Sequence, residues 1–331
     1  TTTLLPQAML PQLRSYWQRE LGVLSPPVDQ IFSALVTRFL AKIEIDGAKT
    51  QHIIASAPRG VLFLANHQIS LESTVFGIVG SALVQCPILT LARIENQHYW
   101  LELLMQHCFR YPGSSAPPMA KGFDRKDSAS LPGIIEELSS EMRTKRRSVM
   151  VHVEGTRSLH CADPVRTLSG TFIDMALALD CPIVPLRFVG GLPREPLHEK
   201  AEFPVGMGKQ TFHLGEPIAP ESLRPLNYGQ RRAVVLDAIN GLPPHHTVEE
   251  PSAPDLDFEA KVQAWHRETG AGIGHATFFR LLQSISPLCT ELEAIASAKP
   301  GDTVVFPDTP EGQWLVEIAR RLFGPRGPTV R

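Results

Sequence analysis

What this chain of 331 residues lacks narrows the field first. A helix that crosses a membrane needs about 18–20 consecutive apolar residues. The best candidates here, 61–65 and 73–84, are too short or are interrupted by Gly and Ser. There is no surplus of positive charge, the formal net charge being −2. That argues against a general nucleic-acid binder, so any anionic ligand must meet a local basic patch. The five cysteines contain no C-x-x-C pair and are odd in number, which reads as reduced, buried thiols and not as a disulfide framework. The opening TTTLLPQAML has no basic stretch running into an apolar one and no small-residue cleavage site, so it does not read as a secretory leader. His245-His246 has no third ligand at metal spacing, 206–209 lacks the full phosphate-loop pattern, and no G-x-S-x-G elbow occurs. No metal, no cofactor and no serine nucleophile are expected.

With 43% apolar residues the chain can bury a sizeable core without staples. After the Pro26-Pro27 break, apolar residues from Val28 to Ile43 recur at helical spacing and predict one amphipathic helix over 28–43. Between about 60 and 191, short apolar runs alternate with helical stretches. Strands are expected over 61–65, 88–92, 148–153 and 183–188, and helices over 71–84, 99–109, 131–144 and 168–179. The strand over 183–188 reads as a buried core strand with Pro185 at its edge. A further strand over 210–214 and helices near 229–240, 258–268, 276–285 and 311–323 follow. The fold class is α/β, a mixed central sheet flanked by helices. The expected organisation is an N-terminal helical segment (1–50), an α/β domain (51–241), a Pro-rich linker (242–254) and a C-terminal helical appendage (255–331). Lys145-Arg146-Arg147 reads as the cationic complement of a helix C-terminus.

Two stretches carry chemistry. The strand over 61–65 runs into Asn66-His67 and then Gln68-Ile69-Ser70-Leu71-Glu72, an H-x4-E spacing at a strand-to-helix junction. In one continuous helix the two side chains would sit on different faces, so they meet only if a turn intervenes. Ser70 as N-cap would put Glu72 in the first helical turn, where the helix dipole favours its ionised form. An anionic Glu72 would then fix the imidazole tautomer and stabilise the imidazolium when His67 takes a proton. Alone, the same residues read equally as a chain turn and a helix cap. Downstream, a strand ends in Glu154-Gly155-Thr156-Arg157-Ser158, where Arg157 and the amides near Gly155 offer a phosphate two kinds of donor.

Taken together, the sequence resembles the glycerolipid acyltransferase superfamily, which includes lysophosphatidic acid and glycerol-3-phosphate acyltransferases. That family shows NH-x4-D, a G-x-x-F-x-D/R-R block, F-P-E-G-T-R-S and a V-P block. The matches are Asn66-His67 to Glu72, Gly122-Phe123-Asp124-Arg125, His152-Val153-Glu154-Gly155-Thr156-Arg157-Ser158, and Ile183-Val184-Pro185. Glu72 stands in place of Asp and Val153 in place of Pro. The resemblance implies an O-acyltransferase with catalytic His67 and Glu72, and an acceptor site built from Asn66, Arg125, Glu154, Gly155, Thr156 and Arg157. The implied partners are an acyl-CoA or acyl carrier protein donor, a lysophospholipid acceptor such as 1-acylglycerol-3-phosphate, and a membrane surface, with no nucleic acid. The implied location is cytoplasmic, peripheral to the inner face of the membrane. A further likeness, to the acyltransferase domains of polyunsaturated fatty acid synthases, implies a domain excised from a longer chain and partnership with other domains of a fatty acid or polyketide-type synthase. The competing expectation is a non-catalytic module that binds acyl carriers or lysolipid.

Overall fold

The computed structural model describes residues 1–93, 119–124, 126–161, 163–201, 208–243, 256–270, 272–284, 290, 293–294, 297–323 and 328–331. The helix expected over 99–109, Arg125, and most of the linker with His245-His246 lie outside them. The chain divides into two compact units. The first comprises Thr1–Leu13, Val36–Glu95 and Pro118–Pro254, and the second Arg14–Leu35, Asn96–Pro117 and Asp255–Arg331.

The first unit is built on an eight-stranded mixed sheet with the order β1-β2-β8-β7-β3-β6-β4-β5. The strands are β1 (Thr2–Leu4), β2 (Leu40–Ile45), β3 (Leu62–Ala65), β4 (Ile88–Arg93), β5 (Ala120–Phe123), β6 (Ser148–His152), β7 (Ile183–Val189) and β8 (Gln210–Leu214). From β7 through β3, β6 and β4 to β5 the pairing is parallel. β3, β6 and β7 are buried along their whole length, which is why they read as unbroken apolar runs instead of alternating ones. β8 enters antiparallel beside β7, so its first residue arrives at the end of the sheet where β7 finishes.

The period of two sorts the sheet's side chains between its faces. Leu62, Leu64, Val149 and Val151 belong to a core with Ile134, Leu138, Phe172, Ile173, Val235 and Ile239. These come from the helices Leu131–Lys145, Gly170–Leu179 and Tyr228–Asn240. On the other face Phe63 meets Phe76 edge-on, and Phe76, Phe188 and Phe212 continue the cluster at centroid spacings of 4.8–6.0 Å. Phe76 belongs to the helix Leu71–Val84, all of whose residues are buried, as its all-round apolar sequence requires. Gly80 permits that burial, since a Cβ there would lie 2.7 Å from Ile88 Cδ1.

Two expectations change. The helix predicted over 28–43 ends at Phe39 and passes straight into β2. Leu40, Ile43 and Ile45 fit a helical stripe in the sequence, but pairing of β2 with both β1 and β8 satisfies their backbone and buries them, and tertiary pairing outweighs local period. Pro185 lies inside the sheet, between β3 and β8. It is tolerated because the β7–β8 ladder is irregular there: Ile183 bridges Ile218 whereas Leu186 pairs Leu214.

In the second unit the helices Leu256–Thr269 and Ile273–Gln283 pack with Trp265 stacked on Phe279, centroids 4.2 Å apart. Trp314, Leu315, Ile318 and Ala319 form the buried stripe of the helix Pro310–Phe323, and Thr303–Val304 pairs in parallel with Thr329–Val330. Among the described residues no helix is long and apolar enough to cross a membrane.

Candidate active site

Register places the two chemistry-bearing stretches side by side. Ala65, the last residue of β3, pairs with His152, the last of β6. The chain therefore leaves both strands at the same end of a parallel sheet, where α/β folds place their ligands. Beyond the strands, Val153 N–H donates to Ala65 O at 2.9 Å and Ser158 N–H donates to His67 O at 2.8 Å. The EGTRS turn is thus hydrogen-bonded to the backbone of His67 itself. Gly155 turns that corner at φ +60° and donates to His152 O at 2.9 Å.

His67 and Glu72 meet: Nδ1 lies 2.8 Å from Glu72 Oε1. The expected turn separates them. Ser70 occupies the N-cap position but makes no side-chain cap. Glu72 takes that part by folding back over the helix start, where its carboxylate accepts from Gln68 N–H at 2.8 Å and Ile69 N–H at 3.2 Å. The extra methylene that distinguishes Glu from Asp supplies this reach. Gln210 Nε2 adds a fourth donor at 2.9 Å. Gln210 is itself set by Gln68, whose Oε1 also accepts from Gly191 N–H at 2.8 Å. A Cβ on Gly191 would sit 2.5 Å from Gln210 Nε2.

Glu72 has no exposed surface, and removal from water pushes its carboxyl up to about 7, against the pull of His152, Gln210 and the amides of Gln68 and Ile69. Burial therefore outweighs the helix-terminal stabilisation read from the sequence. With Glu72 ionised, Nδ1 of His67 is the donor, which puts the ring's lone pair on Nε2. His67 is partly exposed, its side chain retaining 17% of its accessible surface.

His152, not singled out in the sequence, stacks on His67 with ring centroids 3.6 Å apart and planes 14° apart. Its Nδ1 lies 2.6 Å from Asn66 O, so that nitrogen carries a proton, and its Nε2 lies 2.8 Å from Ser73 Oγ, which donates. Burial, and next the proximity of His67, pull its pKa down to about 3. His67, Glu72 and His152 bring ligand-type atoms within 4.8 Å of one another. The Glu72 oxygens and His152 Nε2 accept from N–H and O–H donors, and the lone pair of His67 lies on Nε2.

The remaining predicted site residues separate into two groups. Asn66 is buried and clamps β3 to β7: Nδ2 donates to Phe188 O at 2.9 Å and Oδ1 accepts from Phe188 N–H at 2.7 Å. Glu154, Gly155, Thr156 and Arg157 lie half-buried in the turn beside His67. Glu154 accepts from Arg166 N–H at 3.0 Å, Thr156 Oγ1 meets Lys200 Nζ, and Arg157 Nη1 donates to Ala201 O at 2.6 Å. Arg146 of the Lys145-Arg146-Arg147 run spends its guanidinium on the carbonyls of Ala55, Ala57 and Gln85.

Residues 49–189, which contain all of the predicted site residues, match the family model described as Acyltransferase. Over that stretch, a little under half of its length, the chain is similar to the Acyltransferase family. Among solved structures, the 1-acyl-sn-glycerophosphate (LPA) acyltransferase PlsC from Thermotoga maritima matches at 15% identity and a TM-score of 0.40. That match covers 71% of this chain and 79% of the other, a likeness too distant to carry a substrate. No curated protein sequence matches. The matched stretch thus contains His67, Glu72 and the EGTRS turn, while Gln210 and Lys200 lie beyond it.

Proposed function

We propose that the chain transfers a fatty acyl group from a thioester, acyl-CoA or acyl carrier protein, to the hydroxyl of a lysophospholipid such as 1-acylglycerol-3-phosphate. The observation that carries this reading is the 2.8 Å contact between His67 Nδ1 and the buried Glu72 carboxylate, set beside the EGTRS turn. His67 Nε2 takes the hydroxyl proton. The acceptor oxygen then attacks the thioester carbonyl, the C–O bond forms, the C–S bond breaks, and the thiolate leaves with the proton from the imidazolium. Glu72 holds the tautomer and offsets the imidazolium charge, as the aspartate does in a serine-protease triad. Nothing in this route needs a covalent enzyme intermediate.

Arg157, together with Arg125, would hold the acceptor phosphate, and Glu154 and the Gly155 turn its glycerol. Such an enzyme would work from the cytoplasmic membrane surface. The spent bonds of the relay favour turnover over the binding-only reading, since a module that only binds gains nothing from a tautomer-fixing carboxylate. The test is thiol release from palmitoyl-CoA and palmitoyl-carrier protein with lysophosphatidic acid as acceptor. Wild-type protein should release thiol and His67→Ala should not; release by His67→Ala at the wild-type rate would overturn the mechanism. Ligand-induced thermal stabilisation with no thiol released would favour the binding module.

A further inference from the structure

We propose that His152 is a positioning residue for His67, presenting the face of a fixed imidazole on which the His67 imidazolium rests during proton transfer. The inference rests on the reading of His67 as general base. Its own grounds are geometric. The two rings are parallel to within 14° at 3.6 Å, which places π density against the ring that becomes positive. The supporting ring cannot turn away, because both of its nitrogens are bonded, one to Asn66 O and one to Ser73 Oγ. Asn66 is in turn locked to Phe188 by two hydrogen bonds. The carbonyl of Asn66 places the His152 proton on Nδ1, burial keeps the ring uncharged, and Nε2 then accepts from the Ser73 hydroxyl. A charged neighbour at this distance would oppose the imidazolium; an uncharged one supports it.

The experiment separates a π face from simple packing. His152→Phe and His152→Leu both fill the site and both lose the hydrogen bonds to Asn66 and Ser73, so any purely structural cost falls on the two alike. Only Phe keeps an aromatic face. In the thiol-release assay with palmitoyl-CoA or palmitoyl-carrier protein and lysophosphatidic acid, kcat of His152→Leu should fall about tenfold below that of His152→Phe. The acceptor KM should be the same in both. Equal kcat values for the two variants would overturn the proposal, as would a difference confined to KM. Should neither variant fold, Ser73→Ala leaves the ring in place but frees its Nε2. It should lower kcat a few-fold at constant KM, and unchanged kcat would overturn the proposal. His67→Ala runs alongside. If it is inactive while the Leu and Phe variants are equal, the role of His152 fails alone; if it is active, the base itself has been misassigned.

Discussion

Replacing Glu72 by Gln should uncouple stability from activity, and the structure fixes both magnitudes. The carboxylate accepts four bonds, two at each oxygen. A glutamine keeps its carbonyl toward His67 and Gln68, and Gln210 can turn its own amide to offer an oxygen to the new NH2. Ile69 N–H then loses its acceptor and Gln68 Oε1 its long bond from Gln210, at about 1–3 kcal/mol together. Against that stands the cost of holding a charge in this position. The folded carboxyl titrates near 7, against 4.5 as its ordinary value. Between those pH values the folded chain holds a proton that the unfolded chain has released, so wild-type stability falls as pH rises, by about 3 kcal/mol across the interval. His152 and His213, held by burial to about 3 and about 4, remain uncharged in the fold throughout that window and contribute alike to both proteins. Relative to wild type, Glu72→Gln should therefore gain about 3 kcal/mol between pH 4.5 and 7. Urea unfolding of the two proteins at half-unit pH steps measures the difference. Activity should move the other way, with kcat lower by about 10⁴-fold at pH 8, the scale set by neutralising the aspartate of a serine-protease triad. A pH-independent stability difference would refute the raised carboxyl, and a kcat within tenfold of wild type would refute the relay.

Three further outcomes are expected. The wild-type rate should rise with pH through about 7, because only ionised Glu72 leaves the His67 lone pair on Nε2; a pH–rate profile that is flat from 6 to 8 would contradict this. Gly191→Ala brings a Cβ to 2.5 Å from Gln210 Nε2 and 2.9 Å from Gln68 Oε1. It should push the Gln210 amide off Glu72 and the Gln68 carbonyl off its partners, costing about 1–3 kcal/mol in denaturant unfolding together with a drop in kcat. Arg157→Ala should raise the KM for lysophosphatidic acid by about 10–100-fold, the loss of a charged hydrogen-bonded contact. The same variant should leave KM for the thioester unchanged, and an equal rise in both would show that Arg157 only props its turn through Ala201.

The parts of the site that were legible in the sequence are those held by local chain. His67, the turn after it and Glu72 span six residues, and the helix Leu71–Val84 begins and ends where its apolar pattern does. β8 too lies where its pattern put it. What β8 does was not legible, because the bond from Gln210 to Glu72 joins residues 138 apart in the chain and depends on an antiparallel strand entering a parallel sheet. His152 had a local signal, a polar residue closing an apolar strand just before EGTRS. Its partner ring, however, is set by the register of β6 against β3. The helix misread over 28–43 failed for a related reason: in LAKIEI the residues that suit a helical stripe also suit a strand, and β1 and β8 decide between them.

That antiparallel strand bears on where the proposed catalytic unit ends. The matched family segment stops at residue 189, yet one of the four donors on the Glu72 carboxylate comes from residue 210. The working unit is therefore larger than the recognisable one. A version trimmed at the family boundary, or a chimera that borrows only the matched stretch, would keep every motif residue and still deliver a carboxylate short of one partner. Its loss of activity would look like a fault in the motif, although the missing group was left behind in a strand with no signature of its own.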